Sequence, residues 1–342
     1  MNCKYLMPSL VGIAVAALTS SVVAQEKIKL KVATFVSVNS FQVVHGSRVW
    51  MDEVTRLTNG RVEFDFYPSE QAGKAAKLMD LMRAGVVDIA EVAPSYVTDK
   101  LPLVGVIEMP GLVSDACTGS KALRTMSEPG GAIYEAEFKP LKVKPLTFFL
   151  NPPYRLFLAN KEITKVEDFS GLKLRVSGGV MALAAEKLGA VPVRMSSPDI
   201  YESLSRGTLD GVFFAPSGVK INGYQPLIKY AAVGYSFGTP AVLMSISDKK
   251  LASLPKDVQD AMMKAGHLAD ETYCKFIMNE QSIVEKEFAN AGMKVNSFSA
   301  AEKKRLDAAI GAIGPDWAKG LDARGKPGTK VLEEFSKKVS VE

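Results

Sequence analysis

In KIKLKVATF, residues 27–35, Ile28, Leu30 and Val32 alternate with lysines, the period of a half-buried β-strand. Ser40 is then placed to cap a helix in which Trp50, Val54 and Leu57 recur at helical spacing until Gly60 stops it. RVEFDFYP alternates Val62, Phe64 and Phe66 and ends at Pro68, so the opening unit reads β-α-β. The pattern repeats. Residues 75–84 predict a helix with Leu78, Leu81 and Met82 inward, Gly85 ends it, and VVDIAEVA is a strand that turns at Pro94. Strands alternating with helices predict a largely parallel sheet covered on both faces.

A less regular region, 101–140, follows. The strand LTFFL then runs into Asn151-Pro152-Pro153, where two prolines break any regular element and mark a crossing between domains. Beyond it lies a second α/β block: RLFLAN, LKLRV, a helix over 180–188, VPVRM, a helix over 198–206, and LDGVFFAP. After the strand AVLMSIS, only Gly266 interrupts the stretch from Pro255 to Ala291. That predicts one helix of about 36 residues, roughly 54 Å long and longer than an ordinary domain is wide, bracing both halves. Its apolar positions hold no sustained heptad, so a coiled coil is not expected. Helical signals over 300–313 and 330–339 close the chain. Two α/β halves joined by crossings have the cleft between them as their natural ligand site.

The first residues bear on compartment. Lys4 precedes an uncharged apolar run from Leu6 to Leu18, and Val22-Val23-Ala24 supplies small residues for cleavage. Residues 1–24 are therefore expected to be a signal peptide, Gln25 the mature N-terminus, and the periplasm the location. No later stretch approaches the roughly 20 apolar residues that span a bilayer, so the chain is not expected to be membrane-embedded. The net charge of +5 is mild and its signs are interspersed, which is no nucleic-acid footprint. Beyond the leader stand Cys117 and Cys274, in a compartment that permits disulfides; as a pair of buried thiols or as one bridge they fit the sequence equally.

Enzyme signatures are missing. Only His45 and His267 occur, and neither belongs to a pair such as H-E-x-x-H. There is no G-x-S-x-G elbow, although Ser177 and Ser217 stand beside glycines. GLDARGKP, 320–327, imitates a phosphate loop, but Pro327 stands where Ser or Thr must reach Mg²⁺. Glu91, Asp88, Asp199 and Asp210 fall near strand or helix ends, where helix capping and solvated loops account for them. No cofactor and no metal are expected. What remains is arginine: Arg155 follows the double-proline crossing and Arg175 lies in LKLRV, each in a strand of the second half. A guanidinium stays charged when desolvated and its planar fork matches a carboxylate. A solvated strand face fits the same alternation.

TRLTNGRVEFDFYPSEQAG (55–73), MRAGVVDIAEVAP (82–94), FSGLKLRVSGG (169–179), ESLSRGTLDGVFFAP (202–216) and the long helix after LASLPKDVQDAM occur in this order. Together they resemble the extracytoplasmic solute-binding proteins of tripartite ATP-independent periplasmic (TRAP) transporters, over nearly all the chain beyond the leader. The resemblance implies an α/β fold, a two-lobed binding-protein clamp with hinge strands. Each lobe is expected to be a mostly parallel sheet flanked by helices, with a long helix spanning both. Lobe I takes 25–152 plus about 242–280, and lobe II takes 153–241 plus about 281–342. It also implies capture of an organic acid, with the carboxylate gripped by Arg175 and a second arginine at Arg155, and delivery to the transporter's membrane subunits for secondary-active uptake. Val36, Ser40 and Tyr96 fall where the family's loops face the cleft. One departure stands out: several sugar-acid and dicarboxylate members carry polar residues, including a ligand-contacting asparagine, where this chain has Val212-Phe213-Phe214-Ala215. Neighbouring strand residues face opposite ways, so one phenylalanine, taken as Phe214, is expected to line the site. The expected ligand is a relatively apolar or aromatic monocarboxylate. A C4-dicarboxylate, a periplasmic sensory co-receptor role and a periplasmic enzyme are the alternatives.

Overall fold

The computed structural model of the protein describes residues 26–340; the expected leader, 1–24, and Gln25 lie outside them. Strands β1 (Ile28–Ala33), β2 (Val62–Tyr67), β3 (Ile89–Val92), β4 (Val143–Pro145), β5 (Phe149–Leu150) and β11 (Ala241–Ser247) build one sheet. Its order is β2-β1-β3-β11-β4, with β5 also paired to β11. Strands β6 (Arg155–Leu158), β7 (Lys173–Val176), β8 (Val191–Arg194), β9 (Gly211–Phe214), β10 (Tyr230–Val233) and β12 (Lys294–Ser297) build the second, in the order β12-β10-β6-β9-β7-β8. Each sheet has its own buried core, centred on residues such as Leu30, Ile89 and Leu243 in the first lobe and Leu156, Leu174 and Phe213 in the second.

The sheets are mixed. β1 runs parallel to β2 and β3, and β7 parallel to β8 and β9, as the alternating pattern dictates. β12 is parallel to β10. By contrast, β11 is antiparallel to β3, β4 and β5, and β6 is antiparallel to β9 and β10. Connectivity is the reason: β6 and β11 each arrive from the opposite lobe instead of through a helical crossover over their own sheet, so the rule for βαβ units does not govern them.

The two arriving strands are zipped together where they leave. Leu150 pairs with Ala241, Asn151 N donates to Pro240 O at 2.9 Å, Tyr154 N donates to Gly238 O at 2.8 Å, and Phe237 N donates to Tyr154 O at 3.0 Å. Asn151-Pro152-Pro153 is thus the crossing its prolines announce, held against the return strand as a two-ply hinge ribbon.

The long helix is Lys256–Asn290, 35 residues. Met262, Ala265, Ala269, Tyr273 and Ile277 are buried in the first core, whereas Val284 and Phe288 are buried in the second, so the helix does span both lobes. Trp50 Nε1, from the helix Arg48–Leu57, donates to Met262 O at 3.0 Å. Gly266 has a packing reason: a Cβ there would stand 2.0 Å from Leu146 O, so only glycine lets the helix lie this close to the first sheet. Cys117 and Cys274 form a disulfide between the helix Ala116–Ser127 and the long helix. Beside it, Asp270 accepts from Arg124 Nη2 at 2.6 Å and from Phe148 N at 2.7 Å.

Two stretches differ from expectation. The region 101–140 is ordered, with a 3₁₀ turn at Leu103–Glu108 and the helix Ala116–Ser127, whose first turn is capped by Asp115 accepting from Thr118 N at 2.6 Å. The tail is divided between the lobes. Leu306, Ile310 and Ile313 enter the second core, but the helix Gly328–Val339 returns to the first, where Val331 and Phe335 are buried against the side of Ala116–Ser127. GLDARGKP is the end of the helix Ile313–Asp322 and its turn into Gly328–Val339, not a phosphate loop. Among the described residues, no helix is long and apolar enough to cross a membrane.

Candidate functional site

The carboxyl ends of β1, β3, β7 and β9 meet at the cleft, where open α/β sheets present ligands. A cavity of about 240 Å³ lies there. The first lobe contributes Val36 and Ser40 from the loop after β1 and Tyr96 from the turn after β3. The second contributes Ser177 beyond β7 and Phe214 at the end of β9, the hinge ribbon adds Asn151 and Tyr154, and the long helix adds Tyr273. No Asp, Glu, Lys or Arg is among the described residues lining this cavity; its walls are aromatic rings, hydroxyls and amides.

The charge stands one layer behind. Arg175 is wholly buried. Its Nε donates to Met195 O at 3.1 Å, Nη1 to Phe213 O at 3.3 Å and Nη2 to Tyr96 Oη at 3.2 Å. The Tyr154 phenol is in hydrogen-bonding reach of the same guanidinium, and burial pushes its ionisation well above the usual range. A guanidinium has five N–H groups, so at least one is left for a further acceptor. Tyr96 Oη also accepts from Ser197 N, at 3.0 Å. With two donors already on the oxygen, the phenol's own proton is what it can still offer.

The structure brings Arg175, Phe214, Tyr96, Ser40 and Val36 together at the cavity or directly behind its wall. Phe213 faces away, wholly buried, its ring stacked on Phe237 at 4.5 Å, while Phe214 lies between Tyr154 at 5.4 Å and Tyr224 at 5.7 Å. Arg155 is the exception. It does not line the cavity: its Nε donates to Glu285 Oε1 at 3.0 Å and its Nη1 to Tyr235 O at 3.0 Å. A carboxylate on the long helix has claimed the guanidinium that sequence reasoning had aimed at the cleft.

Two carboxylates also depart from expectation. Glu91 is no solvated loop residue but wholly buried, accepting from Thr34 Oγ1 at 2.6 Å and from Gln42 and Ser47; burial raises its pKa. Since Gln42 lines the cavity, this network sets one wall from behind. Glu108, which sequence reasoning passed over, is buried beside Arg175 and Ser95, and desolvation lifts it to about 8. Asp88, Asp199 and Asp210 do serve local roles: Asp88 accepts from Lys31 N at 2.8 Å, Asp210 from Lys173 N at 2.7 Å and Asp199 from Ser196 Oγ at 2.7 Å. Tyr154 and Ser177 were also missed. A tyrosine after Pro152-Pro153 carried the one usable signal, its place on the crossing.

Comparison with known proteins gives one answer. Residues 33–319 match the model of the DctP family, described as bacterial extracellular solute-binding protein, family 7. The C4-dicarboxylate-binding periplasmic protein DctP of Rhodobacter capsulatus is 26% identical over 291 residues, covering 82% of this chain and 84% of that protein. A TRAP solute-binding protein of Rhodoferax ferrireducens T118, solved with copurified benzoate, superposes with a TM-score of 0.85 at 23% identity, over 92% of this chain and 98% of that one. A marine metagenome TRAP solute-binding protein specific for aromatic acid ligands, from an unidentified microbe and solved with 3-hydroxybenzoate, gives 0.85 at 24% identity, again over 92% and 98%. The fold is thus that of the two-lobed TRAP binding proteins, and the sequence match runs through both lobes and the hinge ribbon, so the chain belongs to family 7 of the bacterial extracellular solute-binding proteins.

Proposed function

We propose that the cleft captures a small aromatic monocarboxylate in the periplasm and hands it to the membrane subunits of a TRAP transporter. Arg175 carries this reading. It is a wholly buried cation whose hydrogen-bond partners, Met195, Phe213 and Tyr96, are all neutral, so its charge is left for an anion to balance. The acid's carboxylate docks on the remaining guanidinium N–H and the Tyr96 hydroxyl, and its ring lies among Phe214, Tyr154 and Phe35. Closure of the lobes about the hinge ribbon then buries it. No bond is made or broken, and the acid leaves unchanged.

One carboxylate is favoured over two because the second candidate cation, Arg155, is engaged by Glu285. The Rhodobacter relative's C4-dicarboxylate would leave one charge facing hydroxyls and rings. A thermal-shift panel of benzoate, 3-hydroxybenzoate, succinate and neutral sugars tests both statements, since a ligand held only by the folded form raises the melting temperature. Benzoate-type acids are expected to stabilise most. Stabilisation by sugars alone would overturn the carboxylate reading, and stabilisation by succinate alone would overturn the aromatic one. Mass spectrometry of the incubated acid is expected to return it intact.

A further inference from the structure

Glu108 belongs to the first lobe, yet it is walled in by the second lobe and the hinge. A Cβ on Gly179, the first residue of the helix Gly179–Lys187, would stand 3.3 Å from Glu108 Oε2, and one on Gly178 would stand 2.4 Å from Ser95 O. With φ of 135° and 53°, Gly178 and Gly179 let the two lobes meet backbone to backbone at this point. The Ser95 hydroxyl and the Arg175 guanidinium act on the Glu108 carboxyl, and Oε2 has no hydrogen-bond partner. A second cavity, about 200 Å³, opens beside it. The charged and titratable groups around the carboxyl are Arg175 from β7, Tyr154 from the hinge ribbon, and Arg194 and Arg324, which line the second cavity. Among the described residues lining that cavity, Glu108 is the one acid.

Glu108 is therefore a rival counter-ion to any carboxylate that enters the main cleft, because both would answer the same arginine. We propose that Glu108 must carry a proton for this chain to hold its ligand, so that at alkaline pH each carboxylate captured brings one proton in with it. This rests on the carboxylate reading above and adds to it a residue that touches Arg175's field and not the ligand. In the empty cleft, burial already lifts Glu108 to about 8; a second negative charge beside Arg175 lifts it further, because like charges disfavour ionisation. At pH 7 the group is neutral with or without ligand, and affinity is flat. As pH rises past about 8 the empty form loses the proton and the filled form retains it, so affinity falls by up to about tenfold per pH unit.

The experiment is calorimetry with benzoate, or whichever acid of the panel stabilises most, at pH 7.0 and 8.7 in buffers of different ionisation enthalpy, which counts protons taken up per ligand bound. Wild type is expected to take up close to none at pH 7.0 and most of one at pH 8.7. Glu108→Gln, which keeps the neutral shape, is expected to bind as tightly at pH 7.0, to take up none at either pH, and to lose the alkaline fall in affinity. Binding at pH 8.7 without proton uptake by wild type overturns the inference and leaves the carboxylate reading standing; this count needs no variant. An alkaline fall that persists unchanged in Glu108→Gln assigns the proton to a tyrosine and also overturns it. If no acid of the panel binds, the carboxylate reading itself fails and the inference falls with it.

Discussion

The Arg175 guanidinium carbon lies 5.2 Å from the centre of the Phe214 ring. Register produces this relationship: Arg175 on β7 stands beside Val212 on β9, and Phe214 is two residues further on the same face. A desolvated cation over a ring gains about 2 kcal/mol, which pins the fork without using the donors an anion needs. Replacing Arg175 with alanine is expected to weaken aromatic-acid binding by about 3–5 kcal/mol, at least a hundredfold. Calorimetry on Arg175→Ala checks it, and an unchanged Kd would remove the grip from the account.

Adjacent phenylalanines should behave oppositely. Phe213→Ala opens a hole against Phe237 in the second core and is expected to cost about 3–5 kcal/mol of stability. Phe214→Ala, at the cavity wall, is expected to cost ligand affinity more than stability. Urea unfolding and ligand titration on the pair separate the two roles.

Arg155→Ala is expected to leave ligand affinity within about threefold and to lower stability by about 1 kcal/mol, because its fork is spent on Glu285 and the Tyr235 carbonyl. A hundredfold loss of affinity would show that Arg155 leaves Glu285 for the ligand.

The Cys117–Cys274 bridge joins two helices and closes a loop of 157 residues that takes in strands β6 to β10 of the second lobe. Replacing both cysteines with alanine is expected to lower stability by about 2–5 kcal/mol while ligand affinity stays unchanged. Urea midpoints and calorimetry measure the two effects.

Glu137 gives a pH prediction independent of the cleft. It is buried, accepts from Leu103 N at 2.6 Å, has no partner on Oε2, and is lifted by desolvation to about 8. Its folded form keeps a proton that the unfolded chain releases near pH 4.3. The associated stability is complete below that pH and is lost as pH rises through about 8. Stability measured at pH 6 and pH 8.5 is expected to fall less in Glu137→Gln than in wild type.

The legible parts of the chain were those with one strong period. β1, β2 and β7 read directly from alternation and the long helix from uninterrupted length, although in β7 the polar position Arg175 is as buried as its apolar neighbours. The helix Ala116–Ser127 was illegible because its buried positions include Gly119, Ser120 and Ser127, small groups that give no apolar stripe. Phe214 lines the cavity and Arg175 stands behind its wall. Arg155 pairs with Glu285 instead of lining the cavity, and nothing local could have said so, since that partner is 130 residues away. Glu91 and Glu108 failed for the matching reason: a sequence shows a carboxylate but not the walls that strip its water.

The disulfide and the long helix together tie the two lobes unequally. Cys274 fastens the near half of the helix to the first lobe covalently, and Val284 and Phe288 belong to the other lobe. The rod is therefore held unequally: its near half is bonded and packed to one core, and its far end is packed in the other. The walls of the cleft accordingly come from both cores, with Asn151 and Tyr154 on the ribbon that joins them.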